Sequence, residues 1–254
     1  MRIDLNSDVG ESYGAWTMGQ DEALIPLVTS VNIACGAHAG DPLVMARTVA
    51  MAVEHRLGIG AHPGYPDRDG FGRRELDMTD AELESSLLYQ LGALGAFVRA
   101  AGATLIHVKP HGALYNRAAR DERLATAICR AVTAFDASLV IVGLAGSTML
   151  EAARAGGLAT AAEAFADRVY DADGSLRSRR LPGALLATPD AAAAQAVSIA
   201  TKGLVRSHDG VDISVRADTL CIHGDTPGAP EYARQVRTAL QAAGVEIVPL
   251  DRPG

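Results

Sequence analysis

Short runs of alternating apolar and polar residues recur along the chain, separated by stretches with helical spacing. The runs at 2–9 (RIDLNSDV), 30–36 (SVNIACG), 58–63 (GIGAHP), 103–110 (ATLIHVKP), 138–143 (SLVIVG), 158–164 (LATAAEA) and 219–224 (TLCIHG) predict seven strands. The sixth is the weakest, because its alanines suit a helix equally well. Helix starts are punctuated more clearly. Asp41 before Pro42 is an N-cap followed by proline at the first helical position. "TDAE" at 79–82 has the capping-box pattern, and Gly102 stops that helix. Asp121, Ser147 and Pro189 open three more, and "APEYARQVRTALQAAG" ends the series at Gly244. Strands alternating with helices imply a parallel sheet with right-handed crossovers. With seven units and no evident linker, residues 1–254 read as one α/β domain, a closed or nearly closed barrel. A doubly wound open sheet is the alternative.

The alternation also says which way side chains point, because successive residues of a strand face opposite sides. Ile3, Leu5 and Val9 mark the helix-facing side of the first strand, so Asp4, Asn6 and Asp8 face inward. The same reasoning turns Asn32, His62, His107 and Lys109 inward, and with them Cys221, His223 and Asp225. His38 and His111 lie just beyond strand ends, where direction is open. Five strands thus send polar residues to one side. Burying so many is costly unless they pair, bind a ligand or catalyse. Two long loops, 64–78 (GYPDRDGFGRRELDM) and 167–186 (DRVYDADGSLRSRRLPGALL), follow the third and sixth strands on the side where barrel enzymes carry their sites.

Composition narrows the class. Hydrophobic residues make up 48% but aromatics only 4%, so the core is expected to be aliphatic layers under alanine-faced helices. The net charge of -7 and the lack of a basic stripe argue against nucleic acid and against an anionic membrane surface. No apolar run is long enough to span a membrane, and "MRIDLNSDVG" has no signal-peptide core. Cys35, Cys129 and Cys221 are odd in number and far apart, which fits a reducing cytoplasm better than a disulfide framework.

Candidate chemistry centres on the inward residues. His62 is a candidate base or metal ligand, against the alternative of a hydrogen-bonded core histidine. An inward Lys109 must pair with a carboxylate, for which Asp8 is available, or hold an anion or carbonyl oxygen. Asp4, Asn6, Asp8 and Glu11 with His38 and His62 form a mixed oxygen and imidazole set suited to Zn²⁺, Mn²⁺ or Fe²⁺; Asp8, His38 and His62 are the leading metal candidates. Most loop arginines read as solvated charge, with Arg168 the best functional candidate. There is no phosphate-binding P-loop, no GxGxxG after the first strand and no GxSxG elbow.

The motifs "DLNSDVGESYGAW", "VNIACGAHAGDP", "GAHPGYPDRDGFGRR", "HVKPHGALYN", "EAFADRVYDADGSL" and "CIHGDTP", in this order along nearly the whole chain, resemble the LamB/YcsF family, the A subunits of prokaryotic 5-oxoprolinase. The resemblance implies a TIM-like (β/α)7 barrel related to glycoside hydrolase and deacetylase barrels. It implies ATP-dependent opening of the lactam of 5-oxo-L-proline to L-glutamate, with Mg²⁺-ATP as cofactor and 5-oxoprolinase subunits B and C as partners. Asp8, His62 and His111 are then candidate bases, with Lys109 stabilising oxyanion or phosphoryl charge and Arg168 holding the substrate carboxylate. Asn6, Asn32, His38, His223 and Asp225 complete the expected substrate-binding rim. A metal-dependent deacetylase of sugar amides and a non-catalytic substrate-presenting subunit are the competing readings.

Overall fold

Seven strands pair edge to edge until the last meets the first. The computed structural model describes residues 1–226 and 228–251. Its strands are β1 (Arg2–Val9), β2 (Ser30–Ala34), β3 (Gly58–His62), β4 (Leu105–Val108), β5 (Val140–Leu144), β6 (Ala159–Phe165), a hairpin of β7 (Leu204–Arg206) and β8 (Asp212–Ser214), then β9 (Thr219–Cys221) and β10 (Glu246–Ile247). The barrel runs β1-β2-β3-β4-β5-β6-β9, all parallel, and β9 closes it by pairing with β1 at Asp4↔Thr219 and Asn6↔Cys221. β10 adds to the lower end of β1. Closure settles the choice between barrel and open sheet. All seven expected barrel strands are present, with ends that differ from the expected ones by three residues at most, and the alanine-rich sixth is a strand.

The helices are α1 (Asp21–Leu24), α2 (Pro42–Glu54), α3 (Asp80–Ala100), α4 (Gly112–Ala118), α5 (Glu122–Asp136), α6 (Thr148–Ala155), α7 (Pro189–Lys202) and α8 (Ala229–Ala242). Asp41 caps α2 through the Leu43 and Val44 amides, and Thr79 forms a reciprocal capping box with Glu82 on α3. Asp121 caps α5, whereas Ser147 occupies the cap position of α6 without a side-chain cap bond. Alanines line the buried faces, Ala125, Ala127 and Ala131 on α5 and Ala192, Ala193 and Ala196 on α7. Such small side chains let helices lie close to the barrel wall. No described helix is long and apolar enough to cross a membrane.

The short α1 and β10 escape the sequence pattern, and so do α4 and the β7–β8 hairpin. α4 starts directly after His111, and the β7–β8 hairpin interrupts the path from α7 to β9. The hairpin does carry a signal, since Asp209-Gly210 sits between alternating residues and Gly210 has φ +77°. Pro227, which ends the "CIHGDTP" motif, lies outside the described residues.

Candidate active site

The barrel register stacks the inward residues in layers. Asp4 sits lowest, 2% exposed, where the hydroxyls of Thr29, Ser30 and Thr219 donate to its carboxylate. That removes it from any metal set with His38 and His62. Asn6 comes next. Its amide donates to Glu163 Oε1 (3.0 Å) and Thr219 Oγ1 (2.7 Å), and its Oδ1 accepts from Asn32 (2.7 Å). His107 Nε2 donates to Asn32 Oδ1 at 2.6 Å. This ring fits only because β3 carries Gly60 opposite it. A Cβ there would stand 2.0 Å from His107 Nε2.

Above this layer lies a buried charge cluster. Lys109 Nζ donates to Asp8 Oδ1 (2.8 Å) and Cys221 Sγ (3.1 Å) and pairs with Glu163 Oε1 at 2.9 Å. These partners match its three N–H bonds. Burial disfavours the ammonium, but Asp8, Cys221 and Glu163 outweigh it and hold the lysine well above its ordinary range. Burial would raise Asp8 as well. His62 and Lys109 prevail and keep it well below the usual carboxylate range. Glu163 also accepts from Tyr115 Oη at 2.7 Å. It escapes the sequence reading, because it lies in the alanine-rich strand whose register is the least certain.

Four buried side chains converge where β1 to β4 end: Glu11, His38, His62 and His111. Their donor atoms all lie within 4.8 Å of one another. His38 and His111 stack face to face, 3.8 Å between centroids, and His62 meets both edge-on. Phe71 covers the pair with its edge and holds a left-handed backbone (φ +54°), offering its carbonyl to His111 Nε2 at 2.8 Å. Burial and the neighbouring histidines push His38 and His111 well below the ordinary imidazole range. Burial, then Asp8 and Asp225, push the Glu11 carboxyl well above its own. Asp8, the third expected metal candidate, belongs instead to a smaller group with Cys221 and His223.

The opposite wall comes from β6 and β9. His223 Nδ1 faces the Asp167 carboxylate at 3.0 and 3.1 Å, which leaves Nε2 as the acceptor nitrogen, and its ring stacks on Phe165. Asp167, 1% exposed, also escapes strand alternation, because it sits past a strand end. Asp225 ties the two long loops together, pairing with Arg73 (2.6 Å) and Arg179 (3.1 Å). Arg74 pairs with Asp67 inside the first loop.

These groups floor and rim a cleft of about 890 Å³. Asp8, His62, Lys109, His111, Arg168, His223 and Asp225 line it. Asn6, Asn32 and His38, expected to touch substrate, do not line it. They lie behind or beneath its wall at 1% exposure or less. Arg168 lines the cleft with part of its guanidinium committed inside the second loop. Its guanidinium donates to the Ala184 and Arg177 carbonyls, which folds the second loop on itself (3.2 and 2.6 Å).

Comparison with known proteins agrees with the fold. The chain is 55% identical over 247 residues to the 5-oxoprolinase A subunit of Chloroflexus aggregans, covering 97% of this chain and 98% of that protein. It is 54% identical over 248 residues to the 5-oxoprolinase A subunit of Methylococcus capsulatus, covering 98% and 95%. The crystal structure of the lactam utilization protein from Thermus thermophilus superposes with a TM-score of 0.93 at 49% identity, covering 98% of this chain and 100% of that one. The model of the LamB/YcsF family matches residues 3–253, and the chain belongs to that family.

Proposed function

We propose that this chain is the lactam-opening subunit of an ATP-dependent 5-oxoprolinase. Its substrate is 5-oxo-L-proline, its product L-glutamate, and subunits B and C are its partners. The observation that carries the reading is the charged floor of Asp8, Lys109 and Glu163 beneath an open cleft, in a chain matched end to end by proteins named as 5-oxoprolinase A subunits.

The chemistry asks for three things. A five-membered lactam is a resonance-stabilised amide and resists water. Phosphorylation of its oxygen by Mg²⁺-ATP makes the ring carbon a better electrophile. Water then adds at that carbon, the C–N bond breaks as the ring nitrogen takes up a proton, and the acyl phosphate left behind is hydrolysed by a second water to the carboxylate and inorganic phosphate. A base must activate the water, and its proton affinity should suit neutral pH. Asp8, held low by His62 and Lys109, is a weak base. His223, with Nδ1–H fixed on Asp167, presents a neutral Nε2 to the cleft and fills the role better. Lys109, its three N–H bonds taken, acts through Asp8 rather than on the substrate. Arg73 and Arg179 at the mouth suit the substrate carboxylate.

The deciding experiment measures glutamate and ADP formed from 5-oxo-L-proline and ATP by the chain alone and mixed with subunits B and C. Turnover in the mixture is expected; none in either arm would sink the proposal. A sugar-amide deacetylase, which the same histidine-rich rim would suit, would instead release acetate without ATP. A purely substrate-presenting subunit would tolerate Asp167→Asn.

A further inference from the structure

Two imidazole nitrogens face each other with no proton assigned between them. His62 Nδ1 lies 2.7 Å from the Lys109 carbonyl, and His111 Nε2 lies 2.8 Å from the Phe71 carbonyl. A carbonyl oxygen only accepts, so each of these nitrogens carries a hydrogen. In a neutral ring the other nitrogen is then a bare lone pair. Those two, His62 Nε2 and His111 Nδ1, stand 2.9 Å apart. Two acceptors at that distance repel unless a cation lies against them.

Two further groups share the problem. Glu11 Oε1 is 3.4 Å from the same His111 Nδ1 and 3.5 Å from His38 Nε2. Glu11 Oε1 and both nitrogens of His38 are buried without a hydrogen-bond partner. A single proton shared by His62 and His111 would relieve one contact and leave Glu11 and His38 unsatisfied. Buried polar atoms in native proteins are nearly always partnered, and several orphans at one point call for an ion.

We propose that Glu11, His38, His62 and His111 bind one divalent transition-metal ion of the zinc class. Glu11 Oε1, His38 Nε2, His62 Nε2 and His111 Nδ1 are its ligands. Ligand atoms about 2.0–2.1 Å from a tetrahedral ion stand about 3.3 Å from one another. The 3.4 and 3.5 Å separations already match; as the ion enters, the 2.9 Å contact opens and the parallel rings of His38 and His111 tilt, so that both in-plane lone pairs meet it. Three imidazoles with one carboxylate suit Zn²⁺, Co²⁺ or Fe²⁺, whereas Mg²⁺ prefers oxygen ligands, so this site is distinct from any Mg²⁺ that arrives with ATP. The carbonyls of Lys109 and Phe71 hold two of the rings in ligating orientation from outside. Gly64 and Gly72 let the backbone close over His38 and His111; a Cβ on Gly64 would stand 2.9 Å from His38, and one on Gly72 2.8 Å from His111 and 2.9 Å from His38.

Cobalt titration of the EDTA-treated full chain tests this, and it does so independently of any lactam turnover. Visible absorption should saturate at one Co²⁺ per chain, with ligand-field bands and no thiolate-to-cobalt charge transfer. Zn²⁺ should displace the cobalt. Glu11→Gln and His38→Ala should each weaken binding on the order of a hundredfold, and Cys221→Ser should leave it unchanged. Glu11→Gln is nearly isosteric, so circular dichroism of that variant separates ligand loss from misfolding. Failure to bind stoichiometric Co²⁺ overturns the proposal. So does a thiolate band abolished by Cys221→Ser, which would move the ion to the Asp8, Cys221 and His223 group, and so does unchanged affinity in the folded Glu11→Gln variant.

Discussion

Lys109 illustrates how much one residue can decide. It neutralises two buried carboxylates, and removing one member of such a cluster leaves unpaired charge in a poor solvent. Lys109→Met should lower stability by about 3–5 kcal/mol in urea unfolding. Adding Glu163→Gln should recover part of the loss, and strict additivity of the two substitutions would argue against the pairing. Asp167→Asn should lower kcat of the assembled enzyme by roughly 10²–10⁴-fold with KM little changed, because it disturbs His223 and not substrate contacts. Asp4 sets a pH signature. Burial pushes its carboxyl up to about 6 from an ordinary 3.8. The folded state therefore holds the proton more tightly than the unfolded chain does. Its stabilising effect is full below pH 3.8 and fades as pH rises through about 6, a difference of about 3 kcal/mol. Urea midpoints from pH 4 to 7 should show this slope in the native protein and not in Asp4→Asn. Direction was legible in the sequence: Ile106 and Val108 on one side put His107 and Lys109 on the other. Depth was not, because alternation repeats identically along a strand. Asn6 and Asn32 accordingly face inward as expected yet lie under the floor, and Glu163 and Asp167 found their partners only through tertiary pairing.

At the scale of elements, the caps were the most legible features, because they act within one turn of chain. Asp41, Thr79 and Asp121 all cap through their side chains. Strand ends were less so, since a strand stops where its neighbour stops pairing, and that neighbour is distant in sequence. Gly60 shows the coupling between strands. Gly60→Ala would drive a methyl into His107, forcing β3 and β4 apart where Gly60 aligns with His107. A loss of about 3 kcal/mol is expected by thermal and urea unfolding, as for an overpacked core. A variant as stable as the native protein would mean that the His107 ring turns away at little cost.

Across the whole molecule, the mouth is held by one carboxylate that bridges two loops far apart in sequence, through Arg73 in the first and Arg179 in the second. Asp225→Asn should loosen residues 64–78 and 167–186 in hydrogen exchange and raise KM, while the barrel core keeps its protection. Equal loosening of core and loops would refute a purely local tether. The barrel's closure has a further effect on how the protein is made. β9 fits between β6 and β1, so the ring cannot shut until Thr219–Cys221 leaves the ribosome. Until then the nascent chain exposes two bare strand edges, β1 and β6, the kind of surface that pairs with other chains. At about 5–20 residues per second that interval lasts from the synthesis of β6 to that of β9, a few seconds in which α7 and the β7–β8 hairpin are added. The stretch between the two strands thus sets the time during which the newborn protein is most exposed to aggregation and most in need of a chaperone.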